Sequence, residues 1–105
     1  MKGAVVVVPF PFSDLTRSKR RPALVIADWG GDDIILCQIT SRSKRDGFEI
    51  QLNTEDLTEG RLPVSSNIRP NKIFTADRRI VLYKAGKLSD SKYSEVTKSL
   101  FRLIE

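Results

Sequence analysis

Apolar residues in the first half of the chain occur in short runs and alternations that are typical of β-strands. Residues 5–8 are all valine and are bounded by a glycine and a proline nearby, which predicts a buried strand. The prolines that follow predict that the chain leaves the sheet after residue 8, because proline has no N–H to donate. Residues 22–27 and Asp33–Thr40 predict two more strands, and the Gly30-Gly31 pair between them suits a hairpin.

The second half of the chain predicts shorter strands and one helix. Apolar and polar residues alternate over residues 48–52, as in a half-buried strand, and further short strands are expected at residues 65–68, 72–75 and 79–83. At the C-terminus, apolar residues recur at helical spacing, and Ser89 is suited to cap the first turn. With no parallel βαβ rhythm, this pattern predicts a mostly β protein: a small antiparallel barrel with a C-terminal α-helix, forming a single domain over residues 1–105.

The residue counts exclude several kinds of site. The chain has no histidine, so a His-based triad, a paired-histidine ribonuclease site and nearly all His-ligated metal sites are impossible. Cys37 is the single cysteine and cannot form an intrachain disulfide or a Cys-rich zinc site, so a cytosolic location is expected. No apolar stretch approaches the roughly 18 residues of a membrane span, and we expect no membrane partner.

The charge of the chain is positive and unevenly distributed. The net charge is +5, and the excess lies in three clusters, at residues 17–21, 42–45 and 69–79. The charged residues between 46 and 63 are instead five acids and one arginine. Clustered cations favour a polyanionic partner, because binding releases counterions and the field steers the partner in. The alternative is that these clusters are solvated loops.

Three polar segments carry the candidate chemistry, and each has a structural alternative. Arg21 precedes Pro22 at the entrance of a strand, where a planar guanidinium suits a phosphate, although it also fits an ordinary surface position. Thr40 and Ser41 place two hydroxyls where the third strand ends, and such residues often cap a turn. The Arg69-Pro70-Asn71 segment interrupts a strand and is equally consistent with a bulge or a barrel corner.

Two segments together resemble a known family. Residues 5–15 read Val-Val-Val-Val-Pro-Phe-Pro-Phe-Ser-Asp-Leu, and residues 19–26 read Lys-Arg-Arg-Pro-Ala-Leu-Val-Ile. This combination is similar to the N-terminal signature of the MazF/PemK toxin family. The Gln-Ile-Thr-Ser segment at 38–41, the segment from Ser66 to Asp77 and the closing helix occur in the expected order, so the resemblance covers essentially the whole chain.

The resemblance implies a fold, an activity and partners. The fold would be an SH3-like barrel with a C-terminal helix, assembled as a homodimer. The activity would be that of a type II toxin–antitoxin toxin: a metal-independent, sequence-selective endoribonuclease with no cofactor. Such enzymes cut single-stranded RNA, commonly mRNA, through the ribose 2′-hydroxyl and leave 2′,3′-cyclic phosphate and 5′-hydroxyl ends. The cognate antitoxin would bind the cationic surface with an acidic tail.

The resemblance also implies roles for individual residues. Arg21 matches the arginine that stabilises the phosphate charge, and Thr40 matches the hydroxyl residue that contacts the scissile phosphate. Asn71 stands where some relatives have an aspartate, and an amide cannot abstract a proton, so Asp14 becomes the candidate base. The residues expected to bind RNA are Lys19, Arg20, Ser41, Arg42, Lys44, Arg69, Asn71 and Lys72.

Two other functions remain open on the same fold. One is a non-catalytic binding module or a gyrase-directed poison of the related CcdB type, for which the surface of the terminal helix would carry the activity. The other is a relative that binds RNA without cleaving it, because Asn71 replaces an aspartate. Arg21 with Thr40 favours the ribonuclease.

Overall fold

A computed structural model describes residues 1–10, 19–42 and 46–105. Seven antiparallel strands form one sheet, curved into a half-barrel, in the order β4-β6-β3-β2-β1-β7-β5. The elements are β1 (Ala4–Phe10), β2 (Lys19–Asp28), β3 (Asp33–Thr40), β4 (Ile50–Leu52), β5 (Leu57–Gly60), β6 (Ser66–Asp77), β7 (Tyr83–Leu88), helix α1 (Asp90–Ile104) and two single 3-10 turns at Thr54–Asp56 and Arg78–Ile80. The predicted mostly β fold with a C-terminal helix is confirmed.

The central strands of the sheet are buried on both faces. Val5 belongs to a cluster on the face that α1 covers, whereas Val6 and Val8 belong to a second cluster on the opposite face. Successive side chains of a strand point to opposite faces, so a run of apolar residues without alternation is expected where both faces are covered. The valine run of β1 is therefore explained by the two clusters.

Helix α1 packs one apolar stripe against the sheet. Ser89 caps the helix, because its hydroxyl oxygen accepts the backbone N–H of Lys92 at 3.2 Å. Val96 is fully buried, and the hydroxyl of Tyr93 donates to the carbonyl of Ile26 at 2.7 Å. The helix and its Ser89 cap are as predicted. In the described residues, we find no helix with the length and apolar character that crossing a membrane requires.

The prediction that the chain leaves the sheet after residue 8 is wrong. Strand β1 continues to Phe10, with Pro9 opposite Arg20 of β2. The carbonyl of Val7 accepts the backbone N–H of Leu82 at 2.9 Å, so the backbone N–H and carbonyl of Val7 point to the β7 side of the strand. The backbone nitrogen of Pro9, two residues later, faces the same side of β1. The last β1–β7 pair is at Val7, so no β7 residue loses a hydrogen bond because proline has no N–H.

Two further expectations for the second half of the chain need correction. Residues 79–83 are not a strand: the Asp77 side chain accepts the backbone N–H of Arg79 at 2.8 Å and starts a 3-10 turn, and β7 begins only at Tyr83. Strand β5 was not expected, because its residues are mostly polar and exposed. It forms the sheet edge by pairing with β7.

The expected interruption of β6 is a bulge. Neighbouring residues Cys37 and Gln38 of β3 pair with Ile73 and Arg69 of β6, so residues 70–72 have no partner on β3. A bulge of this kind bends a strand and turns its side chains to new directions. It lies beside the groove described next and determines where Arg69 and Asn71 lie.

Candidate nucleic-acid interface

One face of β2 changes from apolar to cationic along its length. Ala23 and Val25 are buried in the second cluster, on the face opposite α1. Because side chains on one face recur every two residues, Arg21 and Lys19 continue the same row. Arg21 is partly buried and Lys19 is exposed, so the row emerges from the core as two cationic side chains.

Strand β3 repeats this change beside β2. Leu36 is buried in the second cluster, and Gln38 and Thr40 follow it at two-residue intervals. Gln38 pairs with Ala23. Continuing that antiparallel register by two residues puts Thr40 across from Arg21. Arg21 and Thr40 therefore lie on neighbouring strands at the polar end of the same face.

A groove of about 1040 Å³ lies over this polar end. It is lined by Lys19, Arg20, Arg21, Gln38, Thr40, Ser41, Arg42, Asp46, Arg69, Lys72, Ile73 and Phe74. The structure thus brings together the sequence-predicted site residues from β2, the end of β3 and the bulge of β6. Asn71 is not among the lining residues and lies next to them in the bulge. Asp14 and Lys44 lie outside the described residues.

Cations dominate the groove. Six of its lining residues are lysine or arginine, and a single one, Asp46, is a carboxylate within the described ranges. Over those same ranges, no acidic side chain lies within 4.0 Å of the charged groups of Lys19, Arg20, Arg21, Arg42 or Lys72. A concave surface with unpaired charges of one sign concentrates an oppositely charged partner.

Thr40 has a hydroxyl whose hydrogen can be donated. The residue is 9% exposed, and its Oγ1 accepts the backbone N–H of Arg42 at 3.2 Å. A hydroxyl that accepts at oxygen keeps its own hydrogen for another acceptor. This arrangement suits Thr40 to donate to an anionic oxygen in the groove, while Ser41 and Arg42 extend from the strand end into solvent.

Arg69 is buried and paired. It is 5% exposed, and its NH2 group donates to Oδ2 of Asp46 at 2.7 Å. Oδ1 of Asp46 accepts the backbone N–H of Phe48 at 3.1 Å. The backbone hydrogen bond from Phe48 is the largest cause that holds the pKa of Asp46 below its usual range. The positive charge and the hydrogen bond of Arg69 lower it further.

Four lining residues were missed by the sequence reading: Gln38 and Asp46, and the side chains of Ile73 and Phe74. Gln38 had a signal, since it lies between Leu36 and Thr40 on one face of a predicted strand. Asp46 had none, because it lies in an acidic stretch and meets Arg69, 23 residues away in the sequence, only in the folded structure. Ile73 is 47% exposed, which no alternation pattern predicts.

The fold and groove define a small basic β-protein suited to a polyanionic ligand. Residues 1–104 match the family described as PemK-like, MazF-like toxin of type II toxin-antitoxin system, and the chain belongs to this family. The resemblance read from the sequence is thereby confirmed. A comparison with curated proteins gave no match.

Solved structures of similar fold carry related descriptions. A mycobacterial endoribonuclease in complex with its cognate antitoxin is 11% identical, with a TM-score of 0.79 over 99% of this chain and 93% of that one. MazE-MazF from Deinococcus radiodurans is 24% identical, with a TM-score of 0.77 over 97% and 92%. MazF from the same organism is 25% identical, with a TM-score of 0.74 over 97% and 93%. These likenesses bear out the SH3-like half-barrel at nearly full length.

Proposed function

We propose that this toxin is a sequence-selective endoribonuclease that cuts single-stranded RNA, chiefly mRNA, without a metal ion. The observation that carries the proposal is that Arg21 and Thr40 line the same groove, in which six lysine and arginine residues face one described carboxylate, Asp46. An RNA backbone is the polyanion that such a groove accommodates.

The reaction uses a nucleophile that the substrate itself carries. The ribose 2′-oxygen attacks the adjacent phosphorus, the bond from phosphorus to O5′ breaks, and the products end in a 2′,3′-cyclic phosphate and a 5′-hydroxyl. The protein has to neutralise the charge that develops on the phosphoryl oxygens and to accept the 2′-hydroxyl proton. DNA lacks the 2′-hydroxyl and is therefore not a substrate.

Arg21 and Thr40 supply the charge stabilisation. A guanidinium offers two parallel N–H donors to phosphate oxygens, and its hydrogen bonds strengthen as negative charge accumulates. Arg21 stands at the border of the buried cluster, where surrounding water is reduced and such a bond is stronger than in bulk solvent. The Thr40 hydroxyl donates to a neighbouring oxygen of the same phosphate.

The remaining cations of the groove form a track for the flanking phosphates. Lys19, Arg20, Arg42 and Lys72 are exposed, so they reach a strand without being desolvated first. Their contacts are to the backbone and carry no sequence information. Sequence selection is left to base contacts near the ends of the groove.

Two partners follow from the same surface and from its surroundings. An acidic, unstructured antitoxin tail would compete with RNA for the cations of the groove. Leu82 and Tyr83 are 46% and 54% exposed, next to the free end of the β1–β7 pairing. Exposed apolar side chains of this size favour contact with a second copy of the chain, and we propose that the protein is a homodimer. We also propose that each subunit is a single domain and that the protein acts in the cytoplasm.

A non-catalytic poison is the alternative. Its activity would lie on the exposed side of α1, where Phe101 and Ile104 are 63% and 73% exposed. That surface is apart from the groove, so loss of Arg21 would leave such a poison active.

The test is cleavage of a long, unstructured RNA by the purified protein in the presence of EDTA, with the same sequence as DNA alongside. We expect discrete RNA fragments ending in 2′,3′-cyclic phosphate and no change in the DNA. RNA that stays intact with and without added divalent metal would contradict the function. Cleavage only with metal would contradict the metal-independent chemistry.

A further inference from the structure

The proposed cleavage needs a group that takes the 2′-hydroxyl proton, and the chain has no histidine for this task. Asn71 has an amide side chain, which is too weak a base to take this proton. We propose that Asp46 is the proton acceptor of the groove and that Arg69 positions it. This inference rests on the proposed ribonuclease function and names a further residue for the same reaction.

Asp46 is the carboxylate that a substrate in the groove can reach. Among the described lining residues it alone is acidic, and its side chain is 30% exposed. It shares the groove with Arg21 and Thr40, so an RNA phosphate held by those two brings its ribose into the same space. The other acidic residues of the described ranges lie away from this lining.

The carboxylate is fixed and still has room to accept. Oδ1 takes the backbone N–H of Phe48 at 3.1 Å, and Oδ2 takes the NH2 group of Arg69 at 2.7 Å. An ionised carboxylate offers about four lone-pair sites, so at least one remains for a substrate hydroxyl.

Arg69 is placed to hold Asp46 rather than to bind solvent-exposed phosphate. It lies opposite Gln38 in the sheet, directly before the bulge, and its side chain is 6% exposed. Its Nε and NH1 atoms are buried without a hydrogen-bond partner. Among the described residues, Asp46 is therefore the carboxylate that balances the buried charge of Arg69. Such a buried cation keeps its partner ionised and oriented.

The proton balance is simple. The 2′-hydroxyl passes its proton to an oxygen of Asp46 as O2′ bonds to phosphorus, and O5′ takes a proton from water as its bond to phosphorus breaks. Asp46 then returns its proton to the solvent. The lowered pKa of Asp46 keeps the carboxylate ionised at neutral pH and makes it a weak base, which the nearby cations offset by stabilising the phosphoryl charge.

The test compares Asp46→Asn with the wild type in single-turnover cleavage and in binding of an RNA that has 2′-deoxyribose at the cleavage site. The asparagine keeps one oxygen acceptor, enough for Phe48 or Arg69 but not for both, and it accepts no proton, so thermal unfolding of the variant is measured alongside cleavage. We expect cleavage to fall at least about 100-fold, with affinity for the uncleavable RNA within roughly threefold. The mass of the variant is checked throughout, because an amide before Gly47 readily hydrolyses back to the acid.

Two controls and a rescue complete the design. Asp33→Asn removes an exposed carboxylate outside the groove and should cleave like the wild type. Asp46→Ala should regain part of its rate with added formate, which supplies a carboxylate in the vacated space. Near-wild-type cleavage by Asp46→Asn would overturn the assignment. So would a loss of about 100-fold in Asp14→Asn that Asp46→Asn does not show. Absence of cleavage by the wild type would instead overturn the ribonuclease function.

Discussion

Arg78 reaches Asp28 across the sheet, with its NH2 group 2.5 Å from Oδ1 of the carboxylate. Its Nε also donates to the carbonyl of Gly31 at 2.6 Å. The ion pair joins the end of β2 to the 3-10 turn that follows β6, two segments 50 residues apart in sequence. It lies at the end of the sheet away from the groove, so its loss tests stability without touching the site.

Stability should fall in acid through this pair. Arg78, then the N-terminal ammonium and the backbone N–H of Gly30, hold the pKa of Asp28 well below its usual range, and Arg79 lowers the pKa of Asp77 to about 2. A carboxylate with a lower pKa in the folded state stabilises fully above its unfolded pKa and loses that contribution as pH falls. We therefore expect the free energy of unfolding to decrease from about pH 4 downwards.

Arg78→Ala should reduce the unfolding free energy at pH 7 and also make its dependence on pH below 4 shallower, because the pKa of Asp28 returns toward its ordinary value. Urea unfolding followed by circular dichroism between pH 2.5 and 7 measures both effects. Arg61→Ala, at an exposed position, serves as the control. An acid slope as steep in Arg78→Ala as in the wild type would show that the pair does not stabilise the fold.

Gly60 should be the glycine least tolerant of a side chain. Its φ is +75°, and an added Cβ would lie 2.0 Å from the carbonyl oxygen of Ala85 on β7. Gly60→Ala should lower the unfolding free energy by about 3 kcal/mol or more, combining left-handed strain with the clash. Gly30→Ala separates the two effects, because Gly30 has φ +85° with nothing within 4 Å and should lose only about 1 kcal/mol. Equal losses in chemical unfolding would contradict the edge pairing of β5.

Binding to RNA should weaken steeply with salt. For a single strand, the slope of log K against log salt changes by about 0.7 for each phosphate contact. Lys72→Ala should reduce the magnitude of the slope by about that amount, whereas Lys98→Ala, on α1 and outside the groove, should leave it unchanged. Fluorescence anisotropy with an uncleavable RNA, between low and moderate salt, measures the slopes. An equal change in both variants would place the RNA elsewhere on the surface.

The sequence predicted those parts of the molecule that depend on neighbours in the chain. Alternation in β3 predicts which residues share a face, and Ser89 predicts the helix start, because a cap acts within three residues. Arg21 and Thr40 stood out at predicted strand ends, the resemblance gave them roles, and in the fold both line the groove.

Long-range features could not be predicted in the same way. Strand β5 has no apolar pattern of its own and exists because β7 offers an edge to pair with. The contact between Asp46 and Arg69 joins residues 23 positions apart in the sequence. A proline ends a strand only where its missing N–H would have bonded to a neighbouring strand. Pro9 lies beyond the last β1–β7 pair, and the sequence does not show where that pairing stops.

The most direct test of the account is single-turnover cleavage of one mapped RNA site by Arg21→Ala and by Arg61→Ala. Both changes remove one arginine, but only Arg21 lines the groove. We expect Arg21→Ala to lose at least about 100-fold in rate while remaining folded, because a preorganised donor to the developing charge is gone. Arg61→Ala should match the wild type. Cleavage by Arg21→Ala at the wild-type rate would contradict the assignment of this groove as the active site.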